Sequence, residues 1–200
     1  KLVVFLSVGV LGAVVVWFFV LADYQKSRLT SFLVFNSPER SLSSDFRQES
    51  SAAYNARQAV IAVGAGQLWG RGLGQGTQSH LKFLPERQTD FIFASFVEEW
   101  GFLGSLLILG LYFALLTFLL YLVYVEENRG KKLYMLSILM MLITQIFINI
   151  GMNLALLPIT GITLPFLSYG GSSILALFYC LALVQSMLLE SDKPPSSIFQ

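Results

Sequence analysis

Hydrophobic residues in this chain run in long blocks, unlike the alternation of a half-buried strand or the one-sided stripe of a soluble helix. The blocks cover residues 2–22, about 91–125, 133–157 and 164–189. Each is long enough, at about 1.5 Å per residue, to cross a hydrocarbon layer about 30 Å thick. The pattern predicts an all-α integral membrane protein with about four transmembrane helices. Between the first two blocks a polar, serine-rich stretch interrupted by Pro38 reads as an exposed loop. Its character changes at Tyr54. A short helical run over 55–63 is followed by glycines at 64, 66, 70, 72, 74 and 76, which predicts a tightly turned segment lying back on the membrane surface.

The second block is unusually long. From Asp90 to Val125 it holds 36 residues, on the order of 54 Å as a single helix, so it must tilt or project outward. This geometry puts Glu98 and Glu99 at the outer interface and Asp90 about two turns beyond it. The third and fourth blocks are joined by GMNLALLPITGITLPFLSYGGSS, whose prolines and glycines break the helical pattern. Asn153, Thr160, Thr163, Ser168, Tyr169, Ser172 and Ser173 place hydrogen-bonding groups there. Non-helical backbone at membrane depth needs protein or water around it, so the turn is expected to face a polar cavity shared with Asp90.

Charge sets the orientation. The short loop EENRGKK carries Arg129, Lys131 and Lys132, and short basic loops stay cytoplasmic. Lys1 and Lys193 fall on the same side. The expected organisation is a transmembrane helix at 1–22, an extracytoplasmic loop at 23–90, a helix at 91–125 and a cytoplasmic loop at 126–132. Two helices joined by an extracytoplasmic Pro/Gly turn follow at 133–189, then a cytoplasmic tail at 190–200. The first block has no small-residue cleavage site after it and reads as a span, not a signal peptide. With no initiator methionine or cytoplasmic lead-in, the chain reads as part of something longer.

Composition narrows the chemistry. The chain is 55% hydrophobic and 12% charged with a net charge of +1, which excludes a soluble globule and a nucleic-acid surface. The single cysteine, Cys180, excludes an internal disulfide and a Cys/His metal cluster, and reads as a small hydrophobe. The single histidine, His80, reads as a surface residue and leaves no Ser/His/Asp triad to assemble. Neither GxGxxG nor GxxxxGK[ST] fits the glycine run. Its backbone amides, with Arg71 and Lys82, suit an anionic lipid headgroup instead. Gly101 and Gly104 read as a place of close helix approach, and Met135, Met140, Met141 and Met152 as apolar filling.

Glu86, Arg87, Asp90, Glu98 and Glu99 remain, ionisable groups at a lipid boundary, where such groups usually have a purpose. They suit either proton abstraction from a hydroxyl or gating of a polar substrate. Each also has a plainer role. Thr89 or Asp90 serves equally as the N-cap of the second span, and Arg87 as a salt-bridge partner of Glu86. Glu98 and Glu99 lie about 100° apart on a helix, so one of them at most faces a given cavity.

Two stretches, GTQSHLKFLPERQTDFIFASFVEEWG and NLALLPITGITLPFLSYGGSS, resemble the SEDS family (shape, elongation, division and sporulation) of peptidoglycan glycosyltransferases. The resemblance runs over about residues 54–186. The LPER form with Arg87 is closer to the RodA branch than to the FtsW branch, and a division or sporulation paralogue is the nearest alternative. Two features depart from the family. Gln88 stands where the family has a histidine before Thr-Asp, and four spans are visible where the family has about ten, so the chain matches the C-terminal part of that polytopic fold and is expected to be inactive alone.

The resemblance implies a multi-pass protein of the bacterial cytoplasmic membrane with its active site on the extracytoplasmic face. The implied substrates are lipid II and a glycan strand on undecaprenyl pyrophosphate. Asp90 matches the family's essential aspartate and would act as general base on the acceptor hydroxyl, giving an inverted β-1,4 linkage. Arg87, Lys82 or Arg71 would bind the pyrophosphate, and Gln78, Glu86 and Thr89 complete the substrate-binding set on that motif. Ser168, Tyr169, Gly170, Gly171 and Ser172 match the second motif and would form the opposite wall. No cofactor is implied; a divalent cation, Mg²⁺ or Mn²⁺, held by Glu86 and Asp90 through waters, has no dedicated ligand spacing. The implied partners are a class B penicillin-binding protein and membrane lipid, with no nucleic acid. A lipid II flippase is the competing reading. The stretch 106–123 offers little beyond Tyr112, Thr117 and Tyr121 as a polar path, which disfavours it. A scaffolding role toward the penicillin-binding protein is compatible with catalysis.

Overall fold

The computed structural model describes residues 51–76 and 88–191, together with Lys26 and Phe32. The first expected span, most of the long loop, and Gln78, His80, Lys82, Glu86 and Arg87 lie outside the described residues, as does the tail from 192. Four helices follow in order among the described residues: α1 Ser51–Ala65, α2 Ile92–Val125, α3 Arg129–Asn153 and α4 Gly171–Ser191. The last three are long and apolar enough to cross a membrane.

The span expected to tilt or project is broken instead. At Gly101 the backbone of α2 takes φ 70° and ψ −166°, a conformation reserved for glycine. The piece after it has 24 residues to Val125, or about 36 Å, which suits a hydrocarbon layer about 30 Å thick. The piece before it, 92–100, is a separate stub.

A break in a helix strands donors and acceptors that must find other partners. Here the glycine run of 66–72 supplies partners for four of them. Arg71 N donates to Glu98 O at 3.0 Å and Gly72 N to Glu99 O at 3.1 Å, while Phe102 N donates to Gln67 O at 2.8 Å and Leu103 N to Leu68 O at 3.2 Å. The carbonyls of 98 and 99 and the amides of 102 and 103 would bond to one another in an unbroken helix. The loop is spliced into the break. Gly70, at φ 78°, and Gly101 touch backbone to backbone, so a Cβ on Gly101 would lie 2.2 Å from Gly70 N. The two glycines of WGFLG therefore have different purposes. Gly101 admits this loop, and Gly104 leaves room for Trp100 of its own helix, whose Cβ an added methyl would meet at 2.3 Å; Trp100 stacks on Phe96.

Two clusters hold the bundle. Toward the end with the α2–α3 loop, Leu119 and Val123 of α2 meet Met135, Ile138, Leu139 and Leu142 of α3 and Leu177 and Val184 of α4. Toward the opposite end, Phe93, Val97, Ile108 and Tyr112 meet Ile146 and Leu164. Helix α1 lies on the stub of α2 with Ala59 and Ala62 in a cluster with Phe91 and Ala94; the three alanines let backbones approach closely.

Helix α3 starts at Arg129, four residues before the apolar block, because Asn128 caps it: its Oδ1 accepts from Gly130 N at 2.9 Å and Lys131 N at 3.4 Å. The Lys131 ammonium donates to Met187 O in the last turn of α4 at 3.1 Å, where a cation also meets the negative end of that helix. Helix α4 starts at Gly171 and not near Leu164. Pro165 removes a donor and Phe166 sits at φ 64°, so 164–170 forms an irregular turn although it reads as apolar.

Candidate active site at the outer end of the bundle

That turn folds back into the bundle and grips the segment leading into α2. Three successive carbonyls of residues 88–90 are each bound from outside. Tyr169 N donates to Gln88 O at 2.7 Å. The Ser168 hydroxyl donates to Thr89 O at 2.7 Å and accepts from Leu164 N at 2.7 Å. Asp90 O accepts from the side-chain amides of Asn149, at 3.2 Å, and Asn153, at 3.0 Å. Ser168, Asn149 and Asn153 are all buried, where an unmade hydrogen bond is expensive. Asp90 is half-buried and Gln88 exposed at the edge of this frame.

The position before α2 is Phe91, one residue beyond Asp90, and the first-turn amide of Ala94 is taken by Asn153 Oδ1 of another helix at 3.0 Å.

The other predicted residues divide between two places. Tyr169, whose amide is bonded to Gln88 O, is followed by Gly170, Gly171 and Ser172, with Tyr169, Gly171 and Ser172 exposed and α4 beginning at Gly171; helix N-termini attract anions. Ser168 is turned inward, its hydroxyl engaged on both sides. Arg71 is exposed at the level of Glu98, about 12 Å along the stub from Asp90, with its Nε donating to Ala65 O at 3.4 Å. Glu98, expected at the interface, is fully buried, while Glu99 is half-buried. The break at Gly101 and the loop laid over it cover Glu98, which a straight projecting helix would have left in solvent. Asn149 escaped the sequence reading. Its signal was an amide pair, Asn149 and Asn153, spaced i and i+4 in an otherwise apolar span.

The turn also reaches downward. The Tyr112 hydroxyl, three turns below the break, donates to Pro165 O, and Asn149 also donates to Ile162 O at 2.7 Å. Irregular backbone at this depth is thus covered by protein. Among the described residues no group of three or more His, Cys, Asp or Glu is placed to hold a metal.

The fold and site define a multi-pass membrane protein that fixes a carboxylate-bearing segment at the end of its bundle where α3 and α4 are joined. The chain belongs to the FtsW/RodA/SpoVE family, whose model, described as cell cycle protein, matches residues 1–193. It is 39% identical over 173 residues to the peptidoglycan glycosyltransferase MrdB of Escherichia coli K12, a stretch that covers 86% of this chain and 44% of that protein. It is 36% identical over 168 residues to the peptidoglycan glycosyltransferase RodA of Treponema pallidum, covering 84% and 36%. Against the stage V sporulation protein E of Bacillus subtilis it is 44% identical over 153 residues, covering 76% and 39%. A chain in a solved structure described as the structural coordination of polymerization and crosslinking by a peptidoglycan synthase complex superposes with a TM-score of 0.67 at 28% identity, covering 96% of this chain and 49% of that one. The chain therefore spans less than half the length of these relatives.

Proposed function

We propose that the protein is a peptidoglycan glycosyltransferase that polymerises lipid II into β-1,4 glycan strands during cell-wall elongation, with Asp90 as general base. The observation that carries this reading is the grip on residues 88–90, which fixes the aspartate's backbone where a lipid-anchored sugar meets the bundle. The acceptor hydroxyl gives its proton to the Asp90 carboxylate as its oxygen bonds to the donor's anomeric carbon. The bond from that carbon to the lipid pyrophosphate breaks on the opposite face, and the configuration inverts. Positioned general bases contribute about 10²–10⁴-fold. Tyr169, bonded through its amide to Gln88 O, and the exposed Ser172 at the start of α4 take the role of substrate wall. Arg71 and, by their place in the motif, Lys82 and Arg87 are the cations available to a pyrophosphate leaving group.

The membrane is the bacterial cytoplasmic membrane, with this site on its extracytoplasmic face, and the partner is a class B penicillin-binding protein. The basic loop before α3 and the polymerizing and crosslinking complex of the structural relative support both readings. Transport fits less well. Of the polar groups in the lower part of α2, Tyr112 is committed to Pro165 and Thr117 to Phe113 O of its own helix.

The test is glycan synthesis from lipid II by the full-length protein with its transpeptidase partner. Asp90→Asn is expected to lower the polymerisation rate at least 100-fold, and an undiminished rate would refute the catalytic role.

A further inference from the structure

We infer that Asn153, seconded by Asn149 and Ser168, is a positioning residue that holds the Asp90 backbone out of the helix. The inference rests on the general-base reading above and concerns how the base is aimed. In a regular helix the amide of residue 94 would donate to the carbonyl of residue 90. Here neither group bonds to the other. Ala94 N donates to Asn153 Oδ1 at 3.0 Å, and Asn153 Nδ2 donates to Asp90 O at 3.0 Å. One planar carboxamide is inserted between the two, accepting from one and donating to the other as a surrogate peptide group. The helical ladder resumes one residue later, with Ser95 N on Phe91 O at 3.1 Å.

The wedge is itself braced. Asn153 Nδ2 also reaches Asn149 O at 2.8 Å and Asn149 Oδ1 at 3.2 Å, and Asn149 Nδ2 shares the Asp90 carbonyl while holding Ile162 O. Both asparagines have no exposed surface, so water cannot substitute for them. Ser168 fixes the preceding carbonyl, Thr89 O. The chain is thus held by its carbonyls at 89 and 90, and the direction in which the Asp90 side chain leaves the backbone is set by residues that need not touch substrate.

Only a side chain carrying donor and acceptor on one flat group fits the gap. Leucine at 153 removes both; the Ala94 amide loses its acceptor and turns to the Asp90 carbonyl, which keeps only the longer bond from Asn149 at 3.2 Å, and this closes the turn and swings residue 90. Aspartate keeps the acceptor and loses the donor. Glutamine keeps both on a longer arm. Ser168→Ala removes the second hold with little change in volume, and Ser168→Thr restores the hydroxyl.

The experiment uses the full-length protein with its partner, reconstituted with lipid II, and measures kcat and KM for Asn153→Leu, Asn153→Gln, Ser168→Ala and Ser168→Thr beside Asp90→Asn. Because a 1 Å misplacement of a catalytic group costs about 100-fold, kcat is expected to fall about 100-fold in Asn153→Leu and at least 10-fold in Ser168→Ala. KM should be unchanged in Ser168→Ala, its unfolding midpoint lowered but still above the assay temperature so that the protein assayed is folded, with Ser168→Thr and Asn153→Gln recovering part of the loss. A kcat within twofold of wild type in Asn153→Leu or Ser168→Ala overturns the inference. So does a loss of activity that only tracks the folded fraction, which would mark the residues as merely structural. If Asn153→Leu fails to fold, the Ser168 pair decides alone. Full activity in Asp90→Asn defeats the general-base reading itself; an inactive Asp90→Asn beside fully active Asn153 and Ser168 variants defeats only the positioning.

Discussion

Replacing Gly101 by alanine should evict the glycine loop from α2 and straighten the helix. The added Cβ would lie 2.2 Å from Gly70 N, 2.7 Å from Leu68 O and 2.7 Å from Trp69 C, all backbone atoms that cannot rotate away. The φ of 70° with ψ of −166° adds on the order of 1–3 kcal/mol for a residue with a side chain. Alanine also favours the helix over glycine by about 1 kcal/mol. The four hydrogen bonds between the loop and α2, worth about 0.5–1.5 kcal/mol each, are the same in both variants. Four of their eight groups recover in the straight helix, because Phe102 N and Leu103 N can return to the carbonyls of Glu98 and Glu99. Only the loop's amides and carbonyls lose their partners. The substitution therefore shifts the balance toward the undocked loop by about 3 kcal/mol, before the backbone overlap is counted.

That asymmetry is what hydrogen exchange can read. In the wild-type chain the amides of Arg71, Gly72, Phe102 and Leu103 should all be protected. In Gly101→Ala the amides of 71 and 72 should exchange about 100-fold faster, the equivalent of about 3 kcal/mol, while those of 102 and 103 stay protected. Gly66→Ala is the steric control: its Cβ would meet Val97 O at 2.1 Å without a positive φ, so it should release the loop with Gly101 unchanged. Protection at 71 and 72 that survives in both variants would refute the splice.

Two smaller changes test the frame elsewhere. Asn128→Ala removes the cap of α3 and should destabilise the full-length protein by about 1 kcal/mol, with faster exchange confined to the amides of Gly130 and Lys131; unchanged exchange there would count against the cap. Tyr112→Phe leaves Pro165 O without its donor and should lower thermal stability in detergent by about 1–3 kcal/mol, an effect absent if the turn does not dip to that depth.

The spans were legible because a bilayer writes itself into composition: α2 and α3 coincide with apolar blocks to within a few residues. Hydropathy reports the medium around a segment and not its backbone, which is why Leu164–Leu167 read as helix but forms a turn, and why the break at Gly101 read as a packing glycine. Glu98 was misplaced for the same reason, since a straight helix was the premise. Asp90 was legible as a residue through its motif. Its frame was not, because the bonds that build it join positions 59, 63 and 79 residues apart and most accept at backbone carbonyls, which every residue carries alike. The amide pair at 149 and 153 was the one trace in the sequence, and the loop partner of Gly101 left a trace only as an unexplained run of glycines.

The two departures from helix in α2 belong to one design problem. A carboxylate that works at a membrane surface needs a fixed direction, yet a continuous helix from Asp90 to Val125 would tie that direction to the tilt of the span and carry the residue far into solvent. Breaking the helix at Gly101 separates the stub from the span. The glycine loop then bonds to four backbone groups that the break strands, at Glu98, Glu99, Phe102 and Leu103. At the other end, the Asn153 wedge opens the first turn and ties it to α3, a different spanning helix. The stub is thereby referenced to α3 and to the turn before α4 at its outer end, and to α1 through Ala59 and Ala62 along its side. Its covalent link to the lower part of α2 runs through Gly101, where the backbone leaves the helix, while Phe93 and Val97 share an apolar cluster with Ile108 and Tyr112 below the break.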